Sequence, residues 1–138
     1  MRGVVPGRKG DGSLGDQARS PKTGTIGHFE IAARDARKLK AFLESVFGWK
    51  ITDDGSEVLP ISGEDAGING HILGWPHEGH PTYLTFYVKV DNIQATLDKV
   101  TRAGGTVIVP QTEIPGGGGR FAQFTDPEGH ILGVYAEP

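Results

Sequence analysis

Five consecutive residues recur unchanged in this chain. Gly70-His71-Ile72-Leu73-Gly74 returns as Gly129-His130-Ile131-Leu132-Gly133, 59 positions later. Two further segments repeat at an offset of 57: Phe29, Ile31 and Ala33 match Phe86, Val88 and Val90, and Gly48 and Ile51 match Gly105 and Ile108. Three segments in near-common register point to an internal duplication. Duplication constrains the fold, because whatever one half forms the other half forms again.

The unit that repeats reads as βαβββ. Gly27 to Ala33 alternates apolar and polar residues and predicts a strand. Asp35 suits a helix N-cap, and Leu39, Phe42, Leu43 and Val46 recur at helical spacing up to Gly48. Trp49–Asp53 and Glu57–Ile61 predict strands joined at Asp54-Gly55, a hairpin signal, and Asn69-Gly70 leads into His71–Leu73. Residues 74–81 form a linker. The second half follows the same order. Tyr83–Val90 is a strand, Asp91 or Asn92 caps a helix carrying Ile93, Leu97 and Val100, and Gly104-Gly105 stops it. Strands over Thr106–Val109, Phe121–Phe124 and Ile131–Tyr135 complete it, with Gln111 to Gly119 as a loop. The expected class is α+β, two tandem βαβββ modules (about 26–75 and 82–138) giving an eight-stranded mixed sheet with helices on its outer face.

Composition narrows the function. Glycine supplies 22 of 138 residues without a period, and cysteine is absent, which removes disulfides, thiolate nucleophiles and cysteine-based metal sites. Residues 1–25 carry a local +3 and no apolar periodicity, so they read as a disordered tail; the remaining residues carry −6 of the chain's net −3. An acidic domain is unsuited to phosphate backbones, so no nucleic-acid partner is expected. No apolar run approaches a membrane span, and none follows the basic start as in a signal peptide. A cytoplasmic protein with no membrane partner is the expectation.

Strand alternation divides the first strand of each module into two faces. Phe29, Ile31 and Ala33 must meet the helix, which leaves His28, Glu30 and Ala32 opposite. Thr85, Tyr87 and Lys89 follow suit on the counterpart strand, and Ile131, Gly133 and Tyr135 on the last one. With Gln123, this face mixes acids, bases and aromatics, as the lining of a small-molecule cavity does.

These features together resemble the vicinal oxygen chelate superfamily, which includes glyoxalase I, bleomycin-resistance proteins, fosfomycin-resistance enzymes and extradiol dioxygenases. The resemblance spans residues 26–138. It rests on Arg34-Asp35, Phe42 through Phe47-Gly48-Trp49, Val90-Asp91-Asn92-Ile93, Ala103-Gly104-Gly105 and Phe124-Thr125-Asp126-Pro127-Glu128-Gly129. Phe47-Gly48-Trp49 and Ile114-Pro115-Gly116 are similar to a small bacterial glyoxalase-like subgroup. The resemblance implies a cupped sheet, a site inside the cup and frequent homodimers. It also implies a divalent ion held by His and Glu. Of those ligand positions His28 is retained, whereas Thr85 and Gly133 stand where a His and a Glu are expected, and the repeat assigns Gly74 to the matching place in the first module. One imidazole cannot hold a catalytic ion, which needs about three protein ligands.

The expected function is therefore binding of an amphipathic organic ligand without metal or other cofactor. The lining would be His28, Glu30, Thr85, Tyr87, Lys89, Gln123, Gly133 and Tyr135. Two alternatives stand beside it: a lyase- or dioxygenase-type enzyme, either dependent on a divalent metal bound through His28 or metal-free with His28, Glu30 and Lys89 as the candidate acid–base groups, and a protein-interaction module. His71 and His130 read as turn-exit residues, His77 and His80 as solvated linker histidines, Trp75 as a packing residue and Gly116–Gly119 as a loop at the cup rim.

Overall fold

The structure, a computed structural model, describes residues 22–74 and 82–138. Most of the expected tail, and the linker with Trp75, His77 and His80, lie outside the described residues. The elements are β1 (Ile26–Ala33), α1 (Ala36–Phe47), β2 (Val58–Ile61), α2 (Gly63–Ala66), β3 (Asn69–Gly74), β4 (Tyr83–Lys89), α3 (Ile93–Arg102), β5 (Thr106–Glu113), β6 (Arg120–Thr125) and β7 (Ile131–Ala136). Among the described residues the strands form one seven-stranded open sheet, ordered β2-β3-β1-β4-β7-β6-β5. β1 runs parallel to β3 and β4 parallel to β7, and antiparallel β1–β4 pairing joins them. Ahead of β1 the Gly24 amide donates to the Lys89 carbonyl, and the Lys89 amide donates to the Thr25 carbonyl.

The predicted caps form. Asp35 accepts a hydrogen bond from the Lys38 amide, Asn92 does so from the Ala95 amide, and Gly48 closes α1 at φ 75°. Each helix covers one apolar cluster. Ala36 and Leu43 pack with Ile51, Leu59, Ile61 and Ile72, and Ile93 and Leu97 pack with Ala122, Val134 and Ala136. Phe42 and Val46, although at helical spacing with Leu39 and Leu43, are 59% and 54% exposed. The apolar stripe of α1 is wider than the strip of sheet beneath it.

The expected eight strands are seven. Trp49–Asp53 forms no strand; it contributes a single bridge between Ile51 and Ile61. Thr52 donates to the Pro60 carbonyl, but side chains take two of the other amides that a ladder would need. Asp65 accepts from the Lys50 amide and Glu44 from the Ile51 amide. Pro60 on β2 has no N–H to offer in return. Beyond Ile51, Asp53 and Asp54 bend the chain onto their own carboxylates, accepting from the Gly55 and Ser56 amides. At the other edge β5 reaches Glu113, so the start of the expected loop is strand, and the Ile114 amide donates to the Gly119 carbonyl to close the hairpin.

Register corrects the sequence repeat. Glu30 pairs with His71, and Tyr87, 57 positions after Glu30, pairs with Gly133. The residue that stands to β1 as Gly133 stands to β4 is thus His71, at an offset of 62. The identical pentapeptides are shifted by three residues from this pairing. An odd shift exchanges the faces of a strand. A Cβ at Gly74 would meet the Ala36 side chain under α1, whereas one at Gly133 would meet the Tyr87 ring on the opposite face. Gly74 therefore has no place in the site.

A buried carboxylate and two histidines on the open sheet face

The site is built around Glu30, 4% exposed at the centre of β1. Strand alternation turns it away from α1, β4 and β3 on either side bring it three donors, and β6 brings a fourth. Tyr87 donates to Oε1 at 2.9 Å, and His71 Nε2 stands 3.0 Å from the same oxygen. The Tyr83 hydroxyl donates to Oε2, and the Gln123 amide reaches it at 3.4 Å from β6. Gln123 also donates to the Tyr87 hydroxyl at 2.8 Å. A carboxylate offers about four lone-pair positions, so these partners fill it. Burial alone would raise the Glu30 pKa. The hydrogen bonds from His71, Tyr83 and Tyr87 outweigh burial and hold the group below its ordinary value. Tyr83 is pushed up to about 12, first by burial and then, with Gln123 opposing, by Glu30; Tyr87 moves the same way. Both phenols are neutral donors at physiological pH.

His28 completes the cluster. Its Nε2 lies 2.7 Å from Nδ1 of His71, and its ring meets Tyr87 edge-on at 6.0 Å. Burial, then the adjacent His71, lowers the His28 pKa to about 4, with Glu30 partly opposing. The sign of the resulting pH dependence is fixed. An unfolded chain takes up a proton near pH 6.5 that the folded chain refuses until about pH 4, so stability falls as pH is lowered through that window. The lowered carboxyl of Glu30 acts in the same direction: its contribution is present above the unfolded value of 4.5 and disappears as pH drops toward the folded one. The urea midpoint is expected to decline steadily from pH 7 to pH 4, and His28→Phe is expected to flatten the upper part of that decline. An unchanged midpoint between pH 7 and pH 5 in the parent would contradict a neutral, buried His28.

The structure brings together His28, Glu30, Tyr87 and Gln123 from the expected lining, and adds His71 and Tyr83. His71 is no turn-exit residue. It sits inside β3, while His130 is exposed and bonded to Asp126 at 2.9 Å. Parity on β3 held the signal, since His71 adjoins the fully buried Ile72 of the helix-facing core. Tyr83 has the parity of Thr85 and Tyr87. Lys89 does not join the cluster; its ammonium lies 3.4 Å from Glu137. Tyr135, opposite Lys89 and Phe121 in the sheet, stays outside it, its phenol raised by burial and then by Glu137. Thr85 is buried with its hydroxyl given to the Ile131 carbonyl. That bond bridges a place where β4 and β7 diverge, because their pairing covers only Tyr87–Lys89. An open groove of about 560 Å³ lies there, sharing Tyr83 with the cluster and lined also by Leu84, Thr85, Asp126, His130 and Ile131.

These residues do not fit the divalent ion that the resemblance implies. The Thr85 hydroxyl is committed to a carbonyl, and Gly133 has no donor. The ring of Tyr87 fills the space beside Gly133, where an added Cβ would stand 2.3 Å from Cδ2. His28 and His71 face each other at hydrogen-bond distance, and Glu30 is saturated. Among the described residues no group of three His, Asp or Glu side chains is arranged to hold a metal.

A family model described as Glyoxalase/Bleomycin resistance protein/Dioxygenase superfamily matches residues 25–134. CFP32 of Mycobacterium tuberculosis, a protein given a glyoxylase name, is 32% identical over 127 residues. The match covers 83% of this chain and 46% of CFP32, so the chain spans about half the length of that relative. Among solved structures, protein BH1468 of Bacillus halodurans superimposes with a TM-score of 0.63 at 14% identity, covering 85% of this chain and 96% of that one. The Mn(II)-bound glyoxalase of Novosphingobium aromaticivorans superimposes with a TM-score of 0.61 at 16% identity, covering 83% and 39%. At these identities the two structures are alike in fold alone.

Proposed function

Because the chain belongs to the glyoxalase/bleomycin resistance protein/dioxygenase superfamily, we propose that it keeps the family's binding face and uses it for a small organic molecule without a metal ion. The observation that carries this reading is the saturation of Glu30. A carboxylate that accepts from two tyrosines, a histidine and a glutamine is an internal anchor, and it holds four polar side chains in fixed positions on one face of the sheet. The anchored face presents a neutral imidazole at His28, the Tyr87 ring and, 6.3 Å from that ring, Phe121. Rings and a neutral hydrogen-bonding group suit an aromatic or otherwise flat ligand that carries a polar substituent. The mirrored strand order about the β1–β4 seam supports descent from a duplicated unit, with the face formed where the two halves meet.

Two measurements on one preparation test the proposal. Protein purified without chelator is expected to hold far less than one equivalent of Mn, Fe, Ni or Zn, and its melting temperature is expected to ignore EDTA. A thermal-shift series of small aromatic alcohols and amines is expected to raise the melting temperature in the parent and not in Tyr87→Ala. One equivalent of a metal that disappears in His28→Ala would overturn the metal-free reading.

A further inference from the structure

The hydrogen bonds that lead outward from Glu30 have a direction, because the chemistry of each partner fixes where the protons are. An ionised carboxylate only accepts. His71, 3.0 Å away through Nε2, must carry its proton on that nitrogen. In a neutral imidazole the second nitrogen then presents a lone pair. His28 Nε2 lies 2.7 Å from His71 Nδ1, so the proton in that contact belongs to His28 Nε2. His28 is neutral at pH 7 and has one N–H to give, which leaves the lone pair on its Nδ1. Among the described residues, the only side-chain partner bonded to His28 is His71.

We propose that Glu30, acting through His71, sets His28 as the Nε2–H tautomer and leaves Nδ1 as the acceptor that a ligand's hydroxyl or N–H group meets. The inference rests on the small-molecule reading above and names its ligand class: neutral molecules with a hydrogen-bond donor, in preference to isosteres that only accept. Glu30 and His71 are positioning residues here. Anionic ligands are disfavoured, since a lone pair faces them and a buried carboxylate lies behind it.

Long-range proton–nitrogen correlation on the full chain labelled with ¹⁵N-histidine reads the tautomers directly at pH 7. The expected result is protonated Nε2 and bare Nδ1 on both His28 and His71. A His71 protonated on both nitrogens, or a His28 carrying its proton on Nδ1, overturns the proposal, and neither reading needs a variant to fold. Titration with phenol and with anisole then reads selectivity. Phenol is expected to bind about tenfold more tightly, the worth of one hydrogen bond, and His71→Phe is expected to erase the ratio. Equal binding of the two probes by the parent also overturns the proposal. If neither probe binds while the tautomers are as stated, the small-molecule reading fails and the directed hydrogen-bond chain stands.

Discussion

Glu30→Ala is expected to destabilise the domain by about 3–5 kcal/mol, the range for removing one partner from a buried charged network. The mechanism is the loss of an acceptor shared by four donors. Tyr83, Tyr87, His71 and Gln123 all point at Glu30, and each buried donor left without a partner costs about 1–3 kcal/mol. Relief of the carboxylate's own desolvation, and entry of water, offset part of that sum. Glu30→Gln should fall between the alanine variant and the parent, because one oxygen still accepts while the new amide faces donors. Urea unfolding measures both. An alanine variant within about 1 kcal/mol of the parent would mean that the network organises nothing.

Gly133→Ala is expected to cost about 2–4 kcal/mol, more than most single-methyl additions, which cost roughly 1–3 kcal/mol when they overpack a core. The added Cβ would stand 2.3 Å from Cδ2 and 2.4 Å from Cε2 of Tyr87. The ring must move, and moving it breaks the Tyr87 bonds to Glu30 and Gln123, at 2.9 Å and 2.8 Å. A double-mutant cycle with Tyr87→Ala isolates the cause. With the ring gone the alanine has room, so the coupling should exceed about 1 kcal/mol. Additive effects would show that the glycine serves the backbone rather than the ring.

The two variants bear on how much of the site was legible. Alternation along β1 and β4 was enough to turn His28, Glu30, Thr85 and Tyr87 to one face and Phe29 and Ile31 to the other, because side-chain direction in a strand depends only on parity. Capping chemistry was equally local: Asp35 and Asn92 cap through their side chains, and Gly48, lacking one, takes the left-handed conformation that ends α1. The missing strand at Trp49–Asp53 was out of reach. Two of its backbone N–H groups, those of Lys50 and Ile51, are taken by Asp65 and Glu44, from two helices that the sequence could not place against it, and Thr52 alone donates to β2, at the Pro60 carbonyl. Lys89 shows the same limit on the site. It has the right parity, yet its charge is spent on Glu137 beyond the last strand.

The repeated pentapeptide is the sharpest case. Its identity reads as a sign of similar halves, but its offset assigned Gly74 to the site and treated His71 and His130 as equivalents. Letters record descent and local preference; they do not record register. Register is set where strands pair, by which apolar side chains reach the core, and a shift of three residues puts His71 beside Glu30 while His130 stays exposed at a turn. The sequence by itself determined the family, the order of most elements and which face of β1 and β4 carries the polar side chains, all properties of short range along the chain. Only the tertiary structure decided that Glu30 is sealed by four donors, that His71 bridges it to His28, and that the ring of Tyr87 lies beside Gly133 where the family places a metal-binding carboxylate. Those contacts join residues 41 to 93 positions apart, and hydrogen bonds at that separation exist only once the sheet has fixed its register.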